Sequence, residues 1–498
     1  MPGFHADRRS RFLVVAISIL LIVCTAVAVA SCGSSPTAST YKPPAAADYS
    51  TLTWSKAFAK LNAKFSREYA FTQWKGIDWK ALYKKYQPIV ARAEASKDQQ
   101  AYYLALREYA NSMRDGHASI KPDDMTVYQA MVGGGFGIIV TKLDTGQVAA
   151  TWVKDGGPAA AAGVKLGAQI EKWDGKPVKT ALAQTSTALS PPQPTNARVV
   201  YEQLRFLVRA PVGTDKTVVF KNQGESAIRT ATLKAVADGM ETLAITDSRS
   251  VLGKGEVPDK FVDQKVLPGN IGYVRVVVEL DMPQAMPGDH TPTLQLFRQA
   301  INSFVDNNVN GIIVDIRSNS GGSDSMVAEM MSSFYKSKTL YEYQNYLVPA
   351  TGQFEIWLTD DVTGAFDKPG QGLYIEPGAK LYTGPVVALV NNGCISSGEG
   401  VAMGIKNLPK GKVVGFYGTN GSFGMAGDSV KMPGGYEIDW PYGQSLDKNK
   451  IVQIDSKGGK GGVVPNQLIP MTLDNALKAA SGQDVVLEYG LKQLSQMH

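Results

Sequence analysis

Apolar residues recur every three or four positions in three early stretches: Trp54, Phe58, Leu61, Phe65 and Tyr69; Trp79, Leu82, Tyr83 and Tyr86; Tyr102, Leu106, Tyr109 and Met113. That period puts each set on one face of a helix. The spacing therefore predicts three amphipathic helices whose aromatic stripes form the core of a helical domain over residues 51–125. From Tyr128 to Ala237 the pattern changes to short β-like runs, Phe136 to Val140, Val148 to Val153, Val199 to Val208 and Thr217 to Phe220, separated by Gly and Pro. These predict a β domain over residues 126–240. Beyond Asn270, strand-like Ile271 to Val278, Ile312 to Ile316 and Val386 to Val390 alternate with helical patterns such as Leu294, Phe297, Ile301 and Phe304. Such alternation predicts an α/β domain with parallel pairing over residues 241–498, within a multidomain α+β chain.

The first 32 residues read differently. Arg8, Arg9 and Arg11 precede an apolar run from Phe12 to Ala30, which ends in Val29-Ala30-Ser31-Cys32. This is the pattern of an export signal. The run is also long enough for a permanent membrane-spanning anchor. Cys32 after three small residues resembles the lipobox of bacterial lipoproteins, which implies lipidation at Cys32 and an extracytoplasmic protein held on a bacterial membrane by lipid. Residues 33–50, rich in Ser, Pro and Ala, are expected to be a flexible tether.

Charge and cysteine content narrow the function classes. The formal charge is +6, of which residues 1–32 carry +2, so the dispersed +4 that remains gives no footprint for nucleic acid. Cys24 and Cys32 lie in the signal, which leaves Cys394 alone and no intramolecular disulfide in the exported body. Four histidines without an H-E-x-x-H pattern provide no zinc set, and no phosphate or dinucleotide loop is present, so no metal and no cofactor is expected.

Residues 153–178, VKDGGPAAAAGVKLGAQIEKWDGKPV, resemble the core of a PDZ domain, with residues 180–198 as an extra loop within it. The resemblance implies that Gly135, Phe136, Gly137 and Ile138 form a carboxylate-binding loop, to which a peptide terminus would add as a strand.

Two strand ends carry candidate chemistry. Strand 311–317 runs into Ser318-Asn319-Ser320-Gly321-Gly322, where glycines allow main-chain N–H groups close to a ligand. Strand 386–390 runs into Asn391-Asn392-Gly393-Cys394-Ile395-Ser396-Ser397-Gly398-Glu399, followed by a predicted helix through Lys406. A hydroxyl on a strand-to-helix turn is exposed near helix N–H donors. Ser396 and Ser397 would serve equally as helix caps.

Together the patterns D-x-R-x-N-x-G-G and N-x-x-x-x-S-x-G-E resemble the C-terminal processing (tail-specific) and tricorn-core serine peptidases, over most of residues 54–475. The resemblance implies a crotonase-like peptidase domain, protein or peptide substrates taken through their C-termini, Ser396 as nucleophile, and an oxyanion hole from Gly322 or Gly321 with the N–H of Ser397. One branch of that family uses a lysine in a T-x-G-K stretch. Here the stretch is Thr419-Asn420-Gly421-Ser422, without the lysine. The other branch uses an upstream histidine, which implies His117, in Arg114-Asp115-Gly116-His117, as general base. For the group that orients the imidazole, Asp455 ahead of Gly462-Val463-Val464-Pro465-Asn466 is the family-like candidate, and Asp115 the alternative. The competing expectations are a catalytically disabled peptide-binding lipoprotein and a nucleophilic Cys394.

Overall fold

The computed structural model describes residues 41–251, 261–281, 292–359 and 366–497. The signal with Cys32, and His5, His290 and His498, lie outside the described residues.

The core that positions the chemistry is a six-stranded sheet in the order Val262–Leu267, Ile271–Val276, Gly311–Asp315, Val386–Leu389, Gly411–Gly415 and Gln467–Leu468. The first pair is antiparallel and the rest are parallel. Parallel strands must be covered on both faces, and the side-chain alternation does this. Ile312, Val314, Val386 and Ala388 pack with Phe297, Val327 and Val401 from helices Thr293–Asp306, Asp324–Met331 and Ser397–Lys406. Ile313, Val387 and Leu389 pack on the opposite face with Val485 and Leu494 of helix Val485–Ser495.

The aromatic stripes form helices Trp54–Glu68, Trp79–Ser96 and Gln99–Ser112. Asp78 and Asp98 cap the second and third, accepting N–H groups of Ala81 and Ala101 at 2.9 Å. Their core is completed by the far end of the chain. Trp440, Tyr436 and Ile438 on strand Tyr436–Leu446 are buried among the helical aromatics, with Phe65 and Trp440 rings 5.3 Å apart. Strand Ile120–Lys121 pairs with the same C-terminal strand. The helices and residues 425–446 therefore share one core, whose loss of Trp440 alone would cost about 3–5 kcal/mol.

Two expectations are corrected. The tether expected over residues 33–50 is docked from Tyr41 onward: that ring is buried against Tyr346, Trp357 and Phe366, and Ala47–Asp48 pairs in parallel with strand Met425–Met432. A short aromatic and two paired residues outweigh a Pro- and Ala-rich composition. The run Val199 to Val208 is not a strand but helix Asn196–Leu207, capped by Thr195. Its charged positions are paired within the helix, Arg198 and Arg205 each lying 2.7 Å from Glu202, so burial does not follow simple polarity. The helix falls partly within residues 180–198, where an extra loop is expected, and helix Val178–Ala183 falls there too.

The remaining β runs form a sheet in the order Arg229–Lys234, Asp215–Lys221, Gln169–Trp173, Val148–Val153 and Ile138–Lys142. Pro158–Ala161 is a short helix, and Asp174-Gly175 turns the chain between strands Gln169–Trp173 and Lys176–Pro177.

Candidate active site

The central parallel strands Gly311–Asp315, Val386–Leu389 and Gly411–Gly415 end side by side. Their carboxyl ends feed loops 316–323, 390–396 and 416–424 onto one edge, where open parallel sheets bind ligands.

Ser396 occupies the turn before helix Ser397–Lys406 with φ +57° and ψ −135°. A non-glycine residue held there stores about 1–3 kcal/mol of strain. Its N–H donates to the Ser422 carbonyl at 3.0 Å. The N–H of Ser397 heads the helix, where main-chain donors lack intrahelical acceptors and the dipole is positive.

Gly321 and Gly322 lie beside this turn. Gly321 has φ +83°, and a β-carbon on it would stand 2.5 Å from that of Ser396. Both glycine N–H groups have internal acceptors: Gly321 donates to Asn319 Oδ1 at 2.8 Å and Gly322 to Ser397 Oγ at 3.0 Å. Asn319 is fixed in turn by donating to Glu279 Oε1 at 2.6 Å and the Val276 carbonyl at 3.1 Å. Burial pushes the Glu279 carboxyl up to about 8, and its Oε2 has no hydrogen-bond partner. A neutral acid is thus stored beneath the glycine loop.

Glu399 organises the third loop. Its buried carboxyl accepts the Thr419 hydroxyl at 2.5 Å and the N–H groups of Gly421 and Ser422 at 2.9 Å each. Burial raises it to about 7 against those hydrogen bonds. This loop joins two distant segments: the N–H of Gly116 donates to Ser422 Oγ at 2.8 Å, while the Ser422 carbonyl receives Ser396. Gly116 also packs on the Ile395 side chain, with no room for a β-carbon. The segment carrying His117 is therefore docked on the segment carrying Ser396, although 279 positions separate the two residues in sequence.

His117 is half-buried, with Nδ1 3.7 Å from Asp115 Oδ1 and without a hydrogen bond. Asp115 is fully buried. It accepts Tyr69 Oη at 2.7 Å and Lys75 Nζ at 2.8 Å on Oδ2, and the main-chain N–H of His117 at 3.0 Å on Oδ1. Burial alone would raise Asp115, but Lys75 and His117 hold it well below the usual carboxylate range. Asp455 joins the same cluster: Oδ2 accepts the Phe423 N–H at 2.9 Å, and Oδ1 lies 3.7 Å from Lys75 Nζ with no hydrogen bond. Burial raises Asp455 to about 7, with Lys75 opposing and Asp115 adding to the shift.

The Asp315 and Arg317 of the first motif brace the sheet. Arg317 bonds Asp315 at 2.9 Å and Asp484 at 2.7 Å, and Tyr273 Oη adds to Asp315 at 2.8 Å. Asp484 also caps helix Val485–Ser495, accepting the Leu487 N–H at 3.0 Å. Cys394 is fully buried, and burial pushes its thiol well above its ordinary value, which removes it as a nucleophile.

Gly135 lies in a three-stranded sheet with Arg209–Ala210 and Val236–Ala237, against Asp238 and the Arg209 guanidinium. The Phe136 ring is buried in the local core, 5.5 Å from that of Trp173. Gly137, with φ +66°, precedes strand Ile138–Lys142 at the edge of its sheet. Sequence reasoning missed Lys75 and Glu279, and named Ser422 only as the residue standing where the lysine branch has its base. Lys75 and Glu279 carry no local signal, since each acts through neighbours distant in the chain.

Residues 270–466 match the model of peptidase family S41. Among solved structures, mature CPAF complexed with lactacystin is similar with a TM-score of 0.60 and 15% identity, over 89% of this chain and 99% of that one. A CPAF mutant gives a TM-score of 0.62 at 14% identity, over 89% and 98%. At such identity the likeness is one of fold. No curated protein matches the sequence.

Proposed function

This chain is a serine-type peptidase of family S41, and on that premise we propose that it cleaves peptide bonds through an acyl-enzyme on Ser396 with His117 as general base. The observation that carries the reading is the bridge through Ser422, which ties the main chain next to His117 to the main chain of Ser396.

Ser396 Oγ attacks the scissile carbonyl carbon as its proton passes to the imidazole. The carbonyl oxygen becomes an oxyanion held by the Ser397 N–H and by Gly322, which exchanges its Ser397 Oγ acceptor for the substrate, or by Gly321. Collapse breaks the C–N bond, and the imidazolium returns the proton to the leaving amine. Water then enters by the same route in reverse and releases the acid. His117 Nδ1 is buried without a hydrogen bond and lies 3.7 Å from Asp115 Oδ1, so Asp115 is placed to steady the imidazole when it becomes charged. Asp455, with Oδ1 uncommitted in the same cluster, is the second carboxylate that fits this part.

Peptide capture by strand addition at Ile138–Lys142, with Gly137 and its neighbours receiving the terminal carboxylate, belongs to the same proposal. So does lipid anchoring at Cys32 outside the cytoplasm. A fluorophosphonate probe tests the chemistry. Labelling at Ser396 in wild type, its loss in Ser396→Ala and its slowing in His117→Gln are expected. An active protein that never labels would leave the peptide-binding reading instead.

A further inference from the structure

The cluster behind His117 contains a cation that the reaction does not use. Lys75 ends the short helix Thr72–Lys75, and its ammonium is buried. It lies 2.8 Å from Asp115 Oδ2, 3.7 Å from Asp455 Oδ1 and 3.0 Å from the Arg114 carbonyl. The Phe71 ring closes over it at 5.1 Å. Neighbouring cations point elsewhere. The Arg114 guanidinium bonds the Gln193 carbonyl at 3.3 Å and Asn196 Oδ1 at 2.9 Å, and the Lys457 ammonium sits over the Trp74 ring at 4.4 Å. Tyr69 contributes a neutral hydroxyl donor.

Resting on the reading of His117 as base, we infer that Lys75 is a positioning residue: held 2.8 Å from Asp115 and 3.7 Å from Asp455, its ammonium offsets negative charge that these carboxylates would otherwise turn on the imidazole. A base that must accept a proton from serine and return it to an amine needs a carboxylate to stabilise its cation. Without a cation beside it, the buried carboxylate charge of this cluster would hold that proton too firmly to return it near neutral pH. Lys75 also saturates Asp115 Oδ2 together with Tyr69, which leaves Asp455 Oδ1 as the uncommitted acceptor. The N-terminal helical segment would thus contribute a charge to the chemistry as well as a core.

The chain has four histidines, so imidazole carbon-13 labelling resolves the His117 titration in the whole protein without reference to activity. Lys75→Gln should move that titration upward by about one to three pH units. The acid limb of kcat/KM should rise with it, while Lys75→Arg stays near wild type. An unmoved titration in folded Lys75→Gln overturns the inference. Should the single variant fail to fold, Asp115→Asn is compared with Asp115→Asn/Lys75→Gln. The added substitution should still raise the titration, and equal values overturn the inference. Failure of His117 as base would show separately, as probe labelling that His117→Gln does not slow.

Discussion

Gly321 lies against Ser396 so closely that a β-carbon on the glycine would stand 2.5 Å from the serine's own. The glycine's φ of +83° is also one that an L side chain rarely adopts. Gly321→Ala should therefore push the glycine loop off the serine while the buried sheet stays intact. The expected result is probe labelling slowed by about 10²-fold or more, the scale of a lost oxyanion donor, with an unchanged circular dichroism spectrum. Labelling at the wild-type rate would show that the loop is not part of the site.

Ser396 pays for its position in backbone strain. Ser396→Gly removes the steric cost of φ +57° but adds flexibility to the unfolded chain. The net expectation is a protein more stable by about 1 kcal/mol in urea melts and without hydrolytic activity. A destabilised glycine variant would mean that the turn is not strained.

Glu279 gives the fold a pH dependence whose sign is fixed by burial. Its folded carboxyl is raised from 4.5 to about 8, so the native state holds a proton that the unfolded chain releases. Its contribution is most favourable below the unfolded value and is progressively lost as pH rises from 4.5 towards 8, at up to roughly 1.4 kcal/mol per pH unit. Glu279→Gln keeps an oxygen for Asn319 and cannot ionise. Its stability relative to wild type should grow across that window and level off above it, as read from urea midpoints at pH 4.5, 6.5 and 8.5. Parallel curves would place the proton elsewhere.

Arg317 ties Asp315 at the end of the strand leading to the glycine loop to Asp484 at the cap of helix Val485–Ser495. Arg317→Met strands a fully buried carboxylate, which costs about 3–5 kcal/mol. A fall in Tm of several degrees is expected, and Arg317→Met/Asp315→Leu should recover part of it. If the single variant melts like wild type, the pair does not brace the sheet.

Much of the architecture is local and therefore legible in the chain. The helical periods at 54–69, 79–86 and 102–113, the apolar strands at 311–315 and 386–389, and the helix ending at Lys406 depend on neighbours within a turn or a pleat. Ser396 was legible for the same reason, because a strand, a turn and a helix N-terminus are adjacent in sequence. Val199 to Val208 misled because its buried charges are neutralised by Glu202 along a helix face, so the polar pattern no longer marked solvent.

By itself, then, the sequence determined the elements, the serine turn and the glycine loop, each set by residues a few positions apart. Only the tertiary structure decided what surrounds His117. Lys75 and Asp115 are 40 positions apart and Asp455 lies hundreds of residues beyond both, and burial makes their mutual charges count far more than they would in water. The same holds for the neutral acid at Glu279 and for the sharing of one aromatic core between the first helices and Trp440. Desolvation and packing are properties of the folded whole, and no stretch of sequence carries them alone.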